Sequence, residues 1–178
     1  DADQVQPASL DLRLSDQAWR VRASFLPGKR TVEDRIADVA MHRIDLSGGV
    51  VLERGCVYIA RLQERLNLPK GLIARANPKS STGRVDVFVR LLTDRGASFD
   101  DVAEGYTGPL YVEIAPQTFS VLARTGTRLN QLRLKAERAG LRQQRGNVRL
   151  LAPADGVVTS RDAEAGSTVV AGQPVLRL

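Results

Sequence analysis

From Ile44 to Gly126 turn-forming residues recur at short intervals: Ser47-Gly48-Gly49, Gly55, Pro69-Lys70-Gly71, Asn77-Pro78, Gly96, Gly105, Gly108-Pro109 and Gly126. The runs between them are short and lean to β: 49–52, 57–63, 72–76, 85–92, 110–114, 119–123 and 131–134. Many short strands with frequent turns indicate a mostly β sandwich or barrel, not a sheet built on helical crossovers. Upstream, Leu10, Leu12 and Leu14 alternate with polar residues as in a half-buried strand. Residues 18–25 alternate less cleanly, and the two runs read as an antiparallel start. Thr31 is placed to cap a short helix over 32–39, whose Val32, Ile36, Val39 and Ala40 recur at three- and four-residue spacing.

With 178 residues the chain has room for one full core and a smaller appendage. Aromatic residues make up only 4%, so that core must rest on Leu, Val, Ile and Ala. The texture changes after Leu134. Residues 135–144 are rich in helix formers, and a second β pattern follows from Val148. The expected organisation is a β domain over 1–134, a helical linker over 135–147 and a small β module over 148–178.

Charge and inventory exclude several classes. The net charge is +6, and residues 133–149 hold six Arg and Lys against Glu137 alone. Without interleaved aromatics this reads as a solvated basic face, and no nucleic-acid partner is expected. Cys56 and His42 are each single, so neither a disulfide within the chain nor a zinc site of the His-x-Glu, Pro-Cys-x-x-Cys type can be built. No run of ~18 apolar residues occurs and the first residues are polar, so neither membrane insertion nor a signal peptide is expected, and the lone cysteine fits a reducing, cytoplasmic setting. The chain lacks a starting Met, from which an absent upstream segment is expected.

The stretch Asn77-Pro78-Lys79-Ser80-Ser81-Thr82-Gly83-Arg84 combines a turn, hydroxyl donors and two cations, a composition suited to a phosphate-bearing ligand. It lacks the Gly-x4-Gly-Lys-Ser/Thr spacing of a Walker loop. Taken alone, these residues favour the commoner reading, an ordinary polar hairpin loop between two strands.

Three pieces in order resemble one family: residues 6–14, the turn from Pro78 to Arg84, and Gly105-Tyr106-Thr107-Gly108-Pro109-Leu110-Tyr111-Val112-Glu113-Ile114. Together they look like the dCTP deaminase branch of the dUTPase-like superfamily. Residues 20–27 and 124–133 further resemble the long bacterial form, in which two such lobes occur in tandem. The resemblance implies a distorted jelly-roll, or β-clip barrel, that assembles as a homotrimer with sites between subunits. It implies zinc-independent hydrolysis of dCTP to dUTP and ammonia, with Mg carried by the triphosphate.

Carried over by position, the resemblance makes Glu113 the general base and acid, with Ser80 and Arg84 orienting water and stabilising the tetrahedral intermediate. Lys79 and Ser81 fall where the family contacts phosphates, Tyr106 near the sugar and base, and Asp100 or Asp101 at a nearby acidic position. Each has a plainer reading: Glu113 as an outward charge on a strand, Arg84 as a loop cation, Tyr106 as packing under Pro109. The chain also departs from the family. Lysine stands at 79 where arginine is usual, and the C-terminal lid over the triphosphate and the helical segment before Gln6 are not recognisable, which predicts weakened binding.

Residues 150–178 instead resemble half of a lipoyl-like barrel-sandwich from efflux-pump membrane-fusion subunits. Lysine is absent there, so neither biotin nor lipoate can be attached. Two further functions remain open on sequence grounds: dUTP diphosphatase, or a non-catalytic adaptor with a membrane-fusion-type tail.

Overall fold

The structure, a computed structural model, describes residues 4–6 and 8–136 together with the backbone of the strand pairs 160–161 and 176–177. The chain divides into two units, Asp1–Arg138 and Ala139–Leu178. In the first the elements are β1 (Val5–Gln6), β2 (Ser9–Val21), α1 (Val32–Val39), β3 (Ala40–Asp45), β4 (Val50–Leu52), β5 (Val57–Asn67), β6 (Leu72–Pro78), α2 (Ser80–Arg84), β7 (Val87–Thr93), β8 (Asp101–Val102), β9 (Thr107–Pro116), β10 (Val121–Ala123) and β11 (Arg128–Ala136). The second contains β12 (Ser160–Arg161) paired antiparallel with β13 (Leu176–Arg177). The linker helix and most of the β module expected beyond Leu134 lie outside the described residues, although β11 itself continues two residues past Leu134.

The mostly β architecture expected from the turns is what forms. A single sheet runs β7-β9-β5-β2-β11-β6-β8, with β1 and β3 added on β2, and β4 and β10 form a separate two-stranded ribbon. The sheet curls until its first and last strands approach. The seam is stitched by one residue: Asp100 donates its N–H to the Leu91 carbonyl of β7 at 3.0 Å, while its own carbonyl accepts the Ala76 N–H of β6 at 2.8 Å. The barrel is thus nearly closed, which removes the unpaired edges an open sheet would expose.

Alternation decides which side chains fill it. Leu12, Leu14 and Ala18 of β2, Tyr58, Ala60 and Leu62 of β5, Val87, Val89 and Leu91 of β7, and Leu110, Val112 and Ile114 of β9 point inward to one core. A second, smaller core lies on the outer face of the same strands. There Val21, Ile59, Leu92 and Tyr111 pack against Phe25 and against Val32 and Ile36 of α1. Helix α1 has the bounds and cap expected of it: Thr31 Oγ1 accepts the Asp34 N–H and the Asp34 carboxylate accepts the Thr31 N–H, both at 3.1 Å.

Two local expectations change. The runs 9–14 and 18–25 are not an antiparallel pair: 9–14 and 18–21 belong to one strand, β2, which ends at Val21 and has two extra residues between the Leu14–Leu62 and Ala18–Ala60 rungs. This bulge lets one strand serve β11 in its first half and β3 and β5 in its second. The polar turn after Pro78 is a single turn of helix, α2, rather than a loop. No helix among the described residues is long and apolar enough to cross a membrane.

Candidate functional site

Glu113 sits on the outer face of β9, the parity that the plainer reading gave it, yet it is only 2% exposed because the second core covers that face. In the ladder it is flanked by Ile59 on β5 and Arg90 on β7. Oε1 accepts twice from the Arg90 guanidinium, from Nη2 at 2.5 Å and Nε at 3.1 Å. Oε2 is equally buried and has no hydrogen-bond partner. An orphaned carboxylate oxygen is costly to bury and is an acceptor in want of a donor, such as a water or an amine.

Arg90 is held from three sides. Its guanidinium carbon lies 3.6 Å from the centroid of Phe99 and 4.8 Å from that of Phe88, and Nη2 also donates to Ser24 Oγ at 2.9 Å. Cation–π stacking and the carboxylate bond fix the plane of the group. Sequence reasoning missed Arg90. The available signal was a pair of lone, opposite charges inside the apolar runs of β7 and β9, which antiparallel pairing sets face to face.

The Ser80–Arg84 turn is built on β11. Lys79 N–H and Thr82 Oγ1 both donate to the Leu129 carbonyl at 2.9 Å, and Thr82 is buried while Ser80, Ser81 and Arg84 are exposed. Among the described residues neither Ser80 nor Arg84 bonds to Glu113. Within one chain, Glu113 lies three rungs, ~10 Å, from the Val87–Pro116 end of the ladder where α2 joins it. Ser81 lines a cavity of about 260 Å³ with Val85, Leu122 and Arg128, and this cavity does not include Glu113. Lys79 is already engaged: its ammonium is paired with the carboxylate of Asp11, a residue 2% exposed.

The remaining candidates have structural partners. Asp100 adopts a left-handed φ of 64°, and its carboxylate accepts the Leu91 N–H at 2.7 Å. Burial pushes its pKa up, against the opposing pull of that N–H and of the Arg90 charge. Asp101 faces outward, 3.6 Å from Arg75. Tyr106 bridges two backbone groups, donating to the Pro109 carbonyl at 2.6 Å and accepting the Asp94 N–H at 3.2 Å. Burial raises its phenol pKa. Asn130, 1% exposed, has neither side-chain nitrogen nor oxygen partnered. Among the described residues no three His, Cys, Asp or Glu side chains cluster as a metal site requires.

Comparison with known proteins bears on this geometry. A dCTP deaminase of Halorubrum lacusprofundi is 30% identical over 132 residues, 72% of this chain and 62% of the relative. A dUMP-forming dCTP deaminase of Coprothermobacter proteolyticus is 29% identical over 115 residues, 63% of this chain and 57% of its own length. The crystal structure of 2'-deoxycytidine 5'-triphosphate deaminase from Agrobacterium tumefaciens superposes with a TM-score of 0.76 at 51% identity, covering 83% of this chain and 47% of that one. The chain therefore spans less than two thirds of these curated relatives and about half of that crystallised protein. The family profile described as the 2'-deoxycytidine 5'-triphosphate deaminase (DCD) N-terminal domain matches residues 1–138, and the chain belongs to that family.

Proposed function

We propose that this domain takes part in the hydrolytic deamination of dCTP to dUTP, with Glu113 as the proton-transferring carboxylate. The observation that carries the reading is the free, buried Oε2 of Glu113 in a domain of the deaminase family. In the proposed step Oε2 takes a proton from water, whose oxygen attacks C4 of the cytosine ring. The tetrahedral adduct then receives the proton on its amine and expels ammonia, and passage of the C4 hydroxyl proton to N3 leaves the C4 carbonyl of uracil.

Ser80 and Arg84 would orient the water and stabilise the adduct from a neighbouring copy, since within one chain they do not bond to Glu113. A homotrimer with intersubunit sites fits that separation. Lys79 and Ser81 would meet phosphate, but the triphosphate must compete with Asp11 for Lys79. Magnesium would be held by the phosphates alone, because no suitable ligand cluster occurs among the described residues, and no step is routed through it.

Ammonia release from dCTP, compared between the native protein and Glu113→Gln, tests the proposal. Loss of release in the variant is expected, and equal rates would sink the assignment. A second reading ends at the monophosphate, because two relatives are named as dUMP-forming. Analysis of the product as dUTP or dUMP separates the two. The membrane-fusion reading of 148–178 contributes nothing to either.

A further inference from the structure

We infer that Arg90 is the positioning residue of the Glu113 site: by holding Oε1 with two donors it assigns the proton-transfer role to Oε2 alone. The inference rests on the deamination reading above and goes beyond it by naming how the carboxylate is oriented. A glutamate side chain on a strand has three torsions to fix before one of its oxygens faces a substrate reproducibly. Packing at 2% exposure restricts the stem, but only a directional bond can decide which oxygen points where. The Nε and Nη2 contacts at 3.1 and 2.5 Å converge on Oε1 and leave Oε2 without a partner.

The arrangement needs arginine specifically. The guanidinium carbon lies 3.6 and 4.8 Å from the ring centroids of Phe99 and Phe88, and Nη2 also donates to Ser24, so the donor has partners of its own besides Glu113. Lysine would keep the charge but has neither the plane that stacks nor two donors at fixed spacing. Bound to Oε1, Arg90 approaches neither C4 nor the leaving amine in the proposed step, so it acts through Glu113.

The test is steady-state deamination by the full chain carrying Arg90→Ala and Arg90→Lys, alongside Glu113→Gln. Arg90→Ala is expected to lower kcat by ~100-fold, the scale of a misplaced reacting group, with KM changed by no more than about threefold. Millimolar guanidinium, but not ammonium at equal ionic strength, is expected to restore part of kcat by refilling the space beside Phe88, Phe99 and Glu113. A purely structural role would not show that selectivity. Arg90→Lys is expected to fall between the two, and it carries the test if the alanine variant does not fold. Native kcat in Arg90→Lys together with native kcat or no selective rescue in Arg90→Ala, while Glu113→Gln is inactive, would overturn the inference and leave the deamination reading standing. A native protein that does not release ammonia, or a Glu113→Gln variant as active as the native protein, would overturn both.

Discussion

The carboxylate of Asp100 and the backbone N–H of Leu91 lie 2.7 Å apart, and the Asp100 N–H returns a bond to the Leu91 carbonyl at 3.0 Å, so one residue satisfies both backbone groups of Leu91, on a strand that ends the sheet. Burial raises the Asp100 pKa in the folded state. The folded state thus favours the protonated form, and the cost of its ionisation is present above the folded pKa and relieved as pH falls through it. Asp100→Asn keeps the acceptor and tolerates φ of 64° without the charge. It is expected to match or exceed the native protein in urea denaturation at pH 7, with any advantage gone by ~pH 3.5. Asp100→Ala leaves the Leu91 N–H unpaired and is expected to cost about 1–3 kcal/mol in the same measurement.

Gly108 has no room for a side chain. A Cβ there would stand 2.7 Å from Tyr106 Oη and 3.0 Å from Cζ, and the ring is fixed by its bonds to Asp94 and Pro109. Gly108→Ala is expected to destabilise by about 1–3 kcal/mol, read as a lowered Tm. An unchanged Tm would mean that the Tyr106 ring is free to move.

The two oxygens of Glu113 predict a difference between two replacements. Glu113→Gln retains an acceptor for Arg90 and is expected to change stability by no more than about 1 kcal/mol. Glu113→Ala opens a cavity and strips the partner from a cation that is 26% exposed, and about 2–3 kcal/mol is expected, less than for a wholly buried pair. Equal costs for the two in chemical denaturation would show that the acceptor and volume retained by glutamine contribute nothing to the fold.

Lys79 and Asp11 should behave as one unit. Lys79→Met leaves a buried carboxylate unpaired, whereas in an Asp11→Asn background that penalty disappears. A double-mutant cycle on stability is expected to give a coupling of at least about 1 kcal/mol, and additive effects would contradict the pairing.

If Glu113 and Arg84 meet only between copies, two inactive variants can complement each other. Glu113→Gln and Arg84→Ala, each inactive alone, are expected on mixing in equal amounts with subunit exchange to regain about a quarter of native deamination, the chance of drawing both intact partners at one interface. No recovery despite exchange would place the site within a single chain.

Much of the fold was legible because its cues are local. Turn residues punctuate the strands wherever the backbone must reverse, the alternation of Leu10, Leu12 and Leu14 marks one inward face, and Thr31 with Asp34 caps α1 at the expected place. Glu113, Ser80 and Arg84 could be singled out only by resemblance, since a glutamate on an alternating strand ordinarily faces water. What hides Glu113 is the second core on the outer face of β9, which no property of residues 107–116 announces. Lys79 likewise looked like a free cation, because Asp11 is 68 residues away in sequence.

By itself, then, the amino-acid sequence determined a mostly β domain of short strands with one capped helix, and the family to which it is related, because turn propensity, alternation and capping act over a few residues. Only the tertiary structure decided that β7 and β8 approach through Asp100, that Arg90 holds one oxygen of Glu113 and leaves the other free, and that Lys79 is neutralised. Those outcomes depend on strand order and on burial of charge, and both arise from contacts between residues far apart in the chain.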